Sequence, residues 1–163
     1  MMPRKPADAT STDRVTPAKQ LDRCIAAYGP VIAATARGAV KKMRAILPGA
    51  AVFVYDNYNA LVIGFGPNDR PSDAICSIAL YPRWVNLFFL HGATLPDPDK
   101  LLKGQGSRVR RIVLEAASDL DRPPVRALIA AAVRQSDVPF ARAAKGRTMI
   151  KSIARRKRAR ISQ

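Results

Sequence analysis

The sequence predicts an α+β domain, with an N-terminal helical hairpin, an antiparallel sheet of about five strands and a C-terminal helix packed on that sheet. Three observations carry this reading. Apolar residues recur at helical spacing before Pro48 and again after Pro123, whereas between them they alternate as strands do. The strand segments follow one another without intervening helices, which argues against a doubly wound parallel sheet. The third and fourth are separated only by Tyr81-Pro82-Arg83, too short for a parallel crossover, which needs about a dozen residues.

Thr16 and Pro17 open the first helix as cap and first-turn proline, a position where the missing N–H costs nothing. Leu21, Cys24, Ile25 and Tyr28 share one face until Gly29-Pro30 interrupts them. In residues 31–47, Ile32, Ala36, Ala39, Met43, Ile46 and Leu47 line one side, and Arg37, Lys41 and Arg44 form a solvated stripe near the other. Pro48-Gly49 ends this second helix. Residues 51–55, 60–65, 74–81, 84–91 and 109–114 then read as strands, rich in β-branched and aromatic side chains. Residues 56–59 form a short hairpin loop and 67–73 a polar turn. The fourth strand is apolar on both sides, Trp84, Phe88 and Leu90 on one and Val85, Leu87 and Phe89 on the other. With helices on one face, the other needs cover from loops or from a second copy in a homo-oligomer. A last helix is expected over 123–135, capped by Asp121, with Val125, Leu128, Ile129, Ala132 and Val133 toward the sheet.

The 163 residues suffice for one core without disulfide or metal staples. Cys24 and Cys76 lie far apart in apolar stretches and read as buried thiols, and neither they nor the lone histidine, His91, has zinc-site spacing. No stretch has the length and apolarity of a membrane span or a signal peptide, so a cytoplasmic protein is expected. The net charge of +16 is unevenly placed: the last 26 residues carry nine cations and no acid. The chain therefore divides into a disordered arm at 1–16, an α+β domain at 17–137 and a basic, flexible tail at 138–163. In that tail Arg147, Lys151, Arg155, Arg156, Lys157, Arg158 and Arg160 are candidates for nonspecific contact with nucleic acid or another polyanion. Met149, Ile150 and Ile153 offer a narrow apolar edge should the tail become helical on a partner.

The loop at 92–108 is long enough to invite a functional reading. Lys103, Gly104, Gly106, Ser107, Arg108, Arg110 and Arg111 form a candidate anion nest, since glycines let backbone N–H groups approach an anion while the cations supply charge. The order of residues is not that of a P-loop, and the loop precedes a strand rather than a helix. Asp97 and Asp99, with His91, are candidate hard-cation ligands, although the prolines around both aspartates suit a solvated turn better. Tyr55, Tyr58, Tyr81 and Trp84 are placed to line an apolar pocket, to stack on bases or simply to pack at strand ends. No catalytic residues are identified, because one histidine and Ser107 lack the context of a triad.

Leu47-Pro48, Leu61-Val62-Ile63-Gly64-Phe65, Val85-Asn86-Leu87-Phe88-Phe89 and Leu95-Pro96-Asp97 form an ordered series, which continues through Leu102-Lys103-Gly104-Gln105-Gly106 and Arg111-Ile112-Val113-Leu114. Together they resemble the YdhG-like domain family over residues 17–134, the last block being the most specific. The resemblance implies a bacterial helix-flanked antiparallel sheet of largely unknown function, some relatives being described as iron chaperones. Iron binding is not carried over, because iron suits a carboxylate-rich surface and this chain is basic without an acidic cluster. Val54-Tyr55-Asp56-Asn57-Tyr58 also stands where many relatives have an aromatic-Gly-x-Pro segment. The expectation is a non-enzymatic ligand- or partner-binding module with no cofactor. Its sheet forms the specific site and its tail adds affinity; an iron chaperone and an enzyme for a small anionic substrate are the alternatives.

Overall fold

The computed structural model describes residues 15–140 and 146–162; the expected N-terminal arm lies outside them but for its last two residues. Helix α1 spans Pro17–Ala26 and α2 Pro30–Ile46. Strands β1 to β5 are Ala51–Asp56, Leu61–Gly66, Cys76–Leu80, Val85–Phe89 and Arg110–Leu114; helix α3 is Pro123–Gln135 and strand β6 Thr148–Ile153. Short 3-10 turns occupy Pro71–Asp73, Gly92–Thr94 and Ala117–Asp121. The fold is α+β as expected, and the sheet order is β5-β4-β3-β2-β1-β6. The first five strands form an antiparallel meander, while β6 adds to β1 in parallel.

Local signals operate where the sequence places them. The Thr16 hydroxyl accepts from the Lys19 N–H at 3.2 Å and Pro17 starts α1. Asp121 is a correction: the cap position of α3 is Arg122, without a side-chain cap. The Asp121 carboxylate instead pairs with Lys42 of α2 and Arg126 of α3, and the Lys42 hydrogen bond chiefly holds its carboxyl below the usual range. At Gly38 of α2 a Cβ would lie 2.7 Å from the Ala117 Cβ, so glycine lets the helix close on the last 3-10 turn.

One core fills the space between the helices and one sheet face. Leu21, Ile25, Ala36 and Met43 meet Val54, Ile63, Ile78 and Leu87, with Leu128 and Ile129 of α3 joining them. Strand alternation sends the other side chains outward. Cys76 is fully buried, and burial pushes its thiol from 9.0 up to about 12; Cys24, expected to be buried, is only partly so, and burial first, then the neighbouring Asp56 carboxylate, pushes its thiol up to about 11. Both groups ionise later folded than unfolded. The stability from their neutral forms is complete below pH 9.0 and is lost as pH rises toward these values. Iodoacetamide at neutral pH is therefore expected to label neither thiol until the chain unfolds. Prompt labelling of Cys76 in the native protein would contradict its place in the core.

The flexible-tail expectation is corrected over 146–162. Strand β6 extends the sheet at Thr148–Ile153, so Met149, Ile150 and Ile153 lie on a strand rather than a helix. Ile150 packs on the main core and Met149 on the outer face against a cluster that includes Phe53. The chain continues across the end of the sheet: the Ala154 N–H donates to Asp56 O at 2.7 Å and the Arg158 N–H to Tyr58 O at 2.8 Å. Arg160 is buried there, donating to Asp56 Oδ1 at 2.8 Å and to the Tyr28 hydroxyl at 2.7 Å, and also to Asn57 O. The Tyr28 hydroxyl in turn donates to Leu80 O and accepts from the Leu61 N–H, both at 3.0 Å. Composition concealed this segment because its anchors are two apolar residues and one arginine whose carboxylate lies more than a hundred positions upstream.

Candidate functional site

The sheet has two unlike faces. Among the described residues three helices cover one; the other carries Tyr55 on β1, Val62 on β2, Ala79 on β3, Asn86 and Phe88 on β4, and Arg111 and Val113 on β5, and at its β1 side Phe53 is buried in a cluster with Ala74, Leu90 and Met149. Trp84, just before β4, and Val113 on β5 are 48% and 49% exposed, a large apolar exposure at one end of a sheet face. Small residues occupy the middle of this face. Ser77 stands beside Phe88 and Gly64, and Ala79 beside Asn86 and Val62, so the larger side chains rise on either side of a shallow trough.

At the β4–β5 side the trough deepens into a cleft of about 390 Å³, lined by Tyr81, Trp84, Asn86, Phe88, Arg111 and Val113. The register brings these residues together. Asn86 pairs with Val113 and Phe88 with Arg111, and the Tyr81 N–H donates to Trp84 O at 2.9 Å across the tight turn. The Tyr81 and Trp84 rings lie 5.8 Å apart, tilted by 38°. Asn86 is 5% exposed, and its Oδ1 is buried without a hydrogen-bond partner among the described residues. Such an atom is uncommon, since a buried polar group without a partner costs about 1 to 3 kcal/mol.

The segment after β6 leads to the same end of the sheet. It crosses the β1–β2 loop and ends where the Ser162 hydroxyl accepts from Arg83 Nε at 3.0 Å, in the turn that holds Trp84. Of the expected polyanion contacts, Arg160 and Lys157 are held by Asp56, and Arg147 pairs with Asp69 at 3.5 Å. Lys151 lies over the Phe53 ring and Arg158 over the Tyr58 ring, at 5.6 and 6.0 Å from the ring centres. Arg155, Arg156 and Arg158 are exposed and have no ion-pair partner among the described residues.

The glycine-rich loop is built as a turn into β5. The Lys103 and Arg111 backbones exchange two 2.8 Å hydrogen bonds, and Gly104 and Gly106 take positive φ of 130° and 108°. Two N–H groups of the expected nest are thus already paired. Strand alternation separates the cations: Arg111 faces the cleft, while Arg110 packs against Gly92 and donates to Val109 O at 2.8 Å. Ser107 and Arg108 are exposed in the loop.

Asp97 acts as a loop staple, its two oxygens accepting from the Leu101 and Leu102 N–H groups at 2.9 and 2.8 Å. Asp99 is exposed, and His91 lines a separate cleft of about 320 Å³ with Asp73, Gln135 and Asp137. Among the described residues no three His, Cys, Asp or Glu side chains come together as a metal-ligand group. Among them, too, no helix is long and apolar enough to cross a membrane.

Tyr81 and Trp84 are the sequence candidates that the cleft brings together; Tyr55 lies across the trough and Tyr58 at the β1–β2 loop. Asn86 escapes sequence reading, because an amide inside an apolar run becomes conspicuous only once its neighbours across two strands are known. The alternation of β4 was the one available signal. No family model, curated protein or solved structure matches the chain.

Proposed function

We propose that this chain is a non-enzymatic binding module that holds nucleic acid against the helix-free face of its sheet. One observation carries the reading: a basic segment whose Arg155, Arg156 and Arg158 have no ion-pair partner among the described residues crosses the sheet end at which Trp84 and Tyr81 border the helix-free face. Cations beside exposed aromatics suit a strand of phosphates and bases, since charge supplies sequence-blind affinity and rings supply stacking. The +16 net charge favours the same class of partner. Resemblance to the YdhG-like family belongs to this proposal, supported by the helical hairpin, meander and closing helix in that order. The iron-chaperone alternative is not favoured, because Asp97 already holds two backbone N–H groups.

Fluorescence anisotropy with a labelled mixed-sequence RNA strand tests the reading, comparing the full chain with an Arg155→Gln, Arg156→Gln, Arg158→Gln triple variant. The expected result is saturable binding that weakens alike for every sequence in the variant, as loss of phosphate contacts requires. No binding by the full chain at low salt would overturn the proposal.

A further inference from the structure

From the cleft beside Trp84 we infer a subsite for one unstacked nucleobase of a single strand, with a preference for adenine; the inference rests on the nucleic-acid reading above. Trp84 and Tyr81 supply adjacent rings at one end, and Phe88 and Val113 continue the apolar wall. A base has apolar faces for such a wall and a polar edge that must find partners within it. Asn86 supplies the partner. Its amide carries both a donor and an acceptor, and the acceptor has no partner among the described residues. Adenine presents an N6–H donor next to an N7 acceptor, the complement that an asparagine amide pairs with in a bidentate way. Rotation of the amide about its last bond presents Oδ1 to the base beside Nδ2, so the cost of leaving it unpaired is recovered on binding. Arg111, opposite Phe88, places a cation at the rim where a phosphate follows.

Charge also decides against a second copy as the occupant. Each copy carries +16, the strand positions of the bare face hold Arg111 and Lys151 but no acid, and stacking two such faces sets cation against cation. A duplex is disfavoured too, because its bases are already stacked and cannot enter a cleft between side chains.

Trp84 is the single tryptophan, so its fluorescence reports this cleft alone. Dye-labelled oligoadenylate and oligouridylate, with the base-free polyanion heparin as competitor, are titrated with the full chain, the Trp84→Ala chain and the Asn86→Leu chain; anisotropy of the label reads binding, Trp84 quenching is followed in the chains that keep Trp84, and light scattering follows the mass in solution. Oligoadenylate is expected to quench Trp84 and to bind more tightly than oligouridylate. Trp84→Ala is expected to weaken oligoadenylate binding about 5- to 150-fold, the range for one lost stacking contact. Asn86→Leu removes the preference for adenine while heparin binding and the melting temperature are maintained, since no existing hydrogen bond is lost. A lower melting temperature in Asn86→Leu with the preference intact would make Asn86 structural and overturn the inference. Equal binding of heparin and both oligonucleotides without quenching would also overturn it, while leaving the polyanion reading standing. Failure of all three to bind at low salt would overturn both, and a dimer that oligoadenylate does not dissociate would assign the face to a second copy.

Discussion

Replacing Arg160 with alanine is expected to destabilise the fold by about 3 kcal/mol, the lower end of the range for breaking a buried ion pair. The guanidinium joins three elements, Asp56 at the end of β1, the Asn57 carbonyl and the Tyr28 hydroxyl after α1. Its ring partner contributes as well, since the guanidinium carbon lies 5.2 Å from the centre of the Tyr28 ring. Without Arg160, Asp56 remains buried with only Lys157 to compensate it. Lys157 is half-exposed and long, which puts the expected loss at the lower end. Paired apolar replacements, Asp56→Leu with Arg160→Met, are expected to recover most of the loss, because a buried pair removed together leaves no buried charge and Lys157 can turn to solvent. Urea unfolding of both single variants and the double variant checks this; an Arg160→Ala midpoint equal to that of the parent chain would contradict the placement of Arg160 beneath the sheet end.

The second large effect is on salt dependence. Arg155, Arg156 and Arg158 engaging phosphates of a single strand contribute about −2 to the log–log slope, roughly 0.7 per contact, and so about a 20-fold loss of affinity between about 50 and 200 mM salt beyond what Arg111 adds. Arg155→Gln, Arg156→Gln, Arg158→Gln is expected to flatten that slope by about two while the Trp84 quench at saturation is unchanged. Charge and stacking would then be separable contributions from different residues. A slope unaffected by the triple substitution would move the phosphate contacts elsewhere, to Arg37, Lys41 and Arg44 on α2 or to the 103–108 loop.

Much of the scaffold is legible in the residues, and for a common reason. Helices α1 and α2 and strands β1 to β5 each present their apolar side chains at the period of their own geometry, with Pro17, Gly29-Pro30 and Pro48-Gly49 marking boundaries. Local rules fail where a distant partner claims the side chain. Asp121 stands where a cap would be useful, yet Lys42 on α2 takes its carboxylate. Strand β6 is the larger case. Its few apolar residues sit among cations that on composition alone belong in solvent, and only the edge of β1 and the buried Asp56 turn that segment into part of the sheet. The candidate site divides in the same way: aromatic residues bracketing Tyr81-Pro82-Arg83-Trp84 are visible in sequence, whereas Asn86 and Arg111 join them only through strand register.

Amide chemical-shift mapping of the full chain during titration with oligoadenylate tests most directly whether the bare face is the binding surface. The expected perturbations centre on Asn86, Phe88, Arg111 and Val113, with the Trp84 indole N–H and residues 155–158 shifting alongside them. Perturbations confined to α2 around Arg37, Lys41 and Arg44, or to residues 103–108, with β4 and β5 silent, would contradict it.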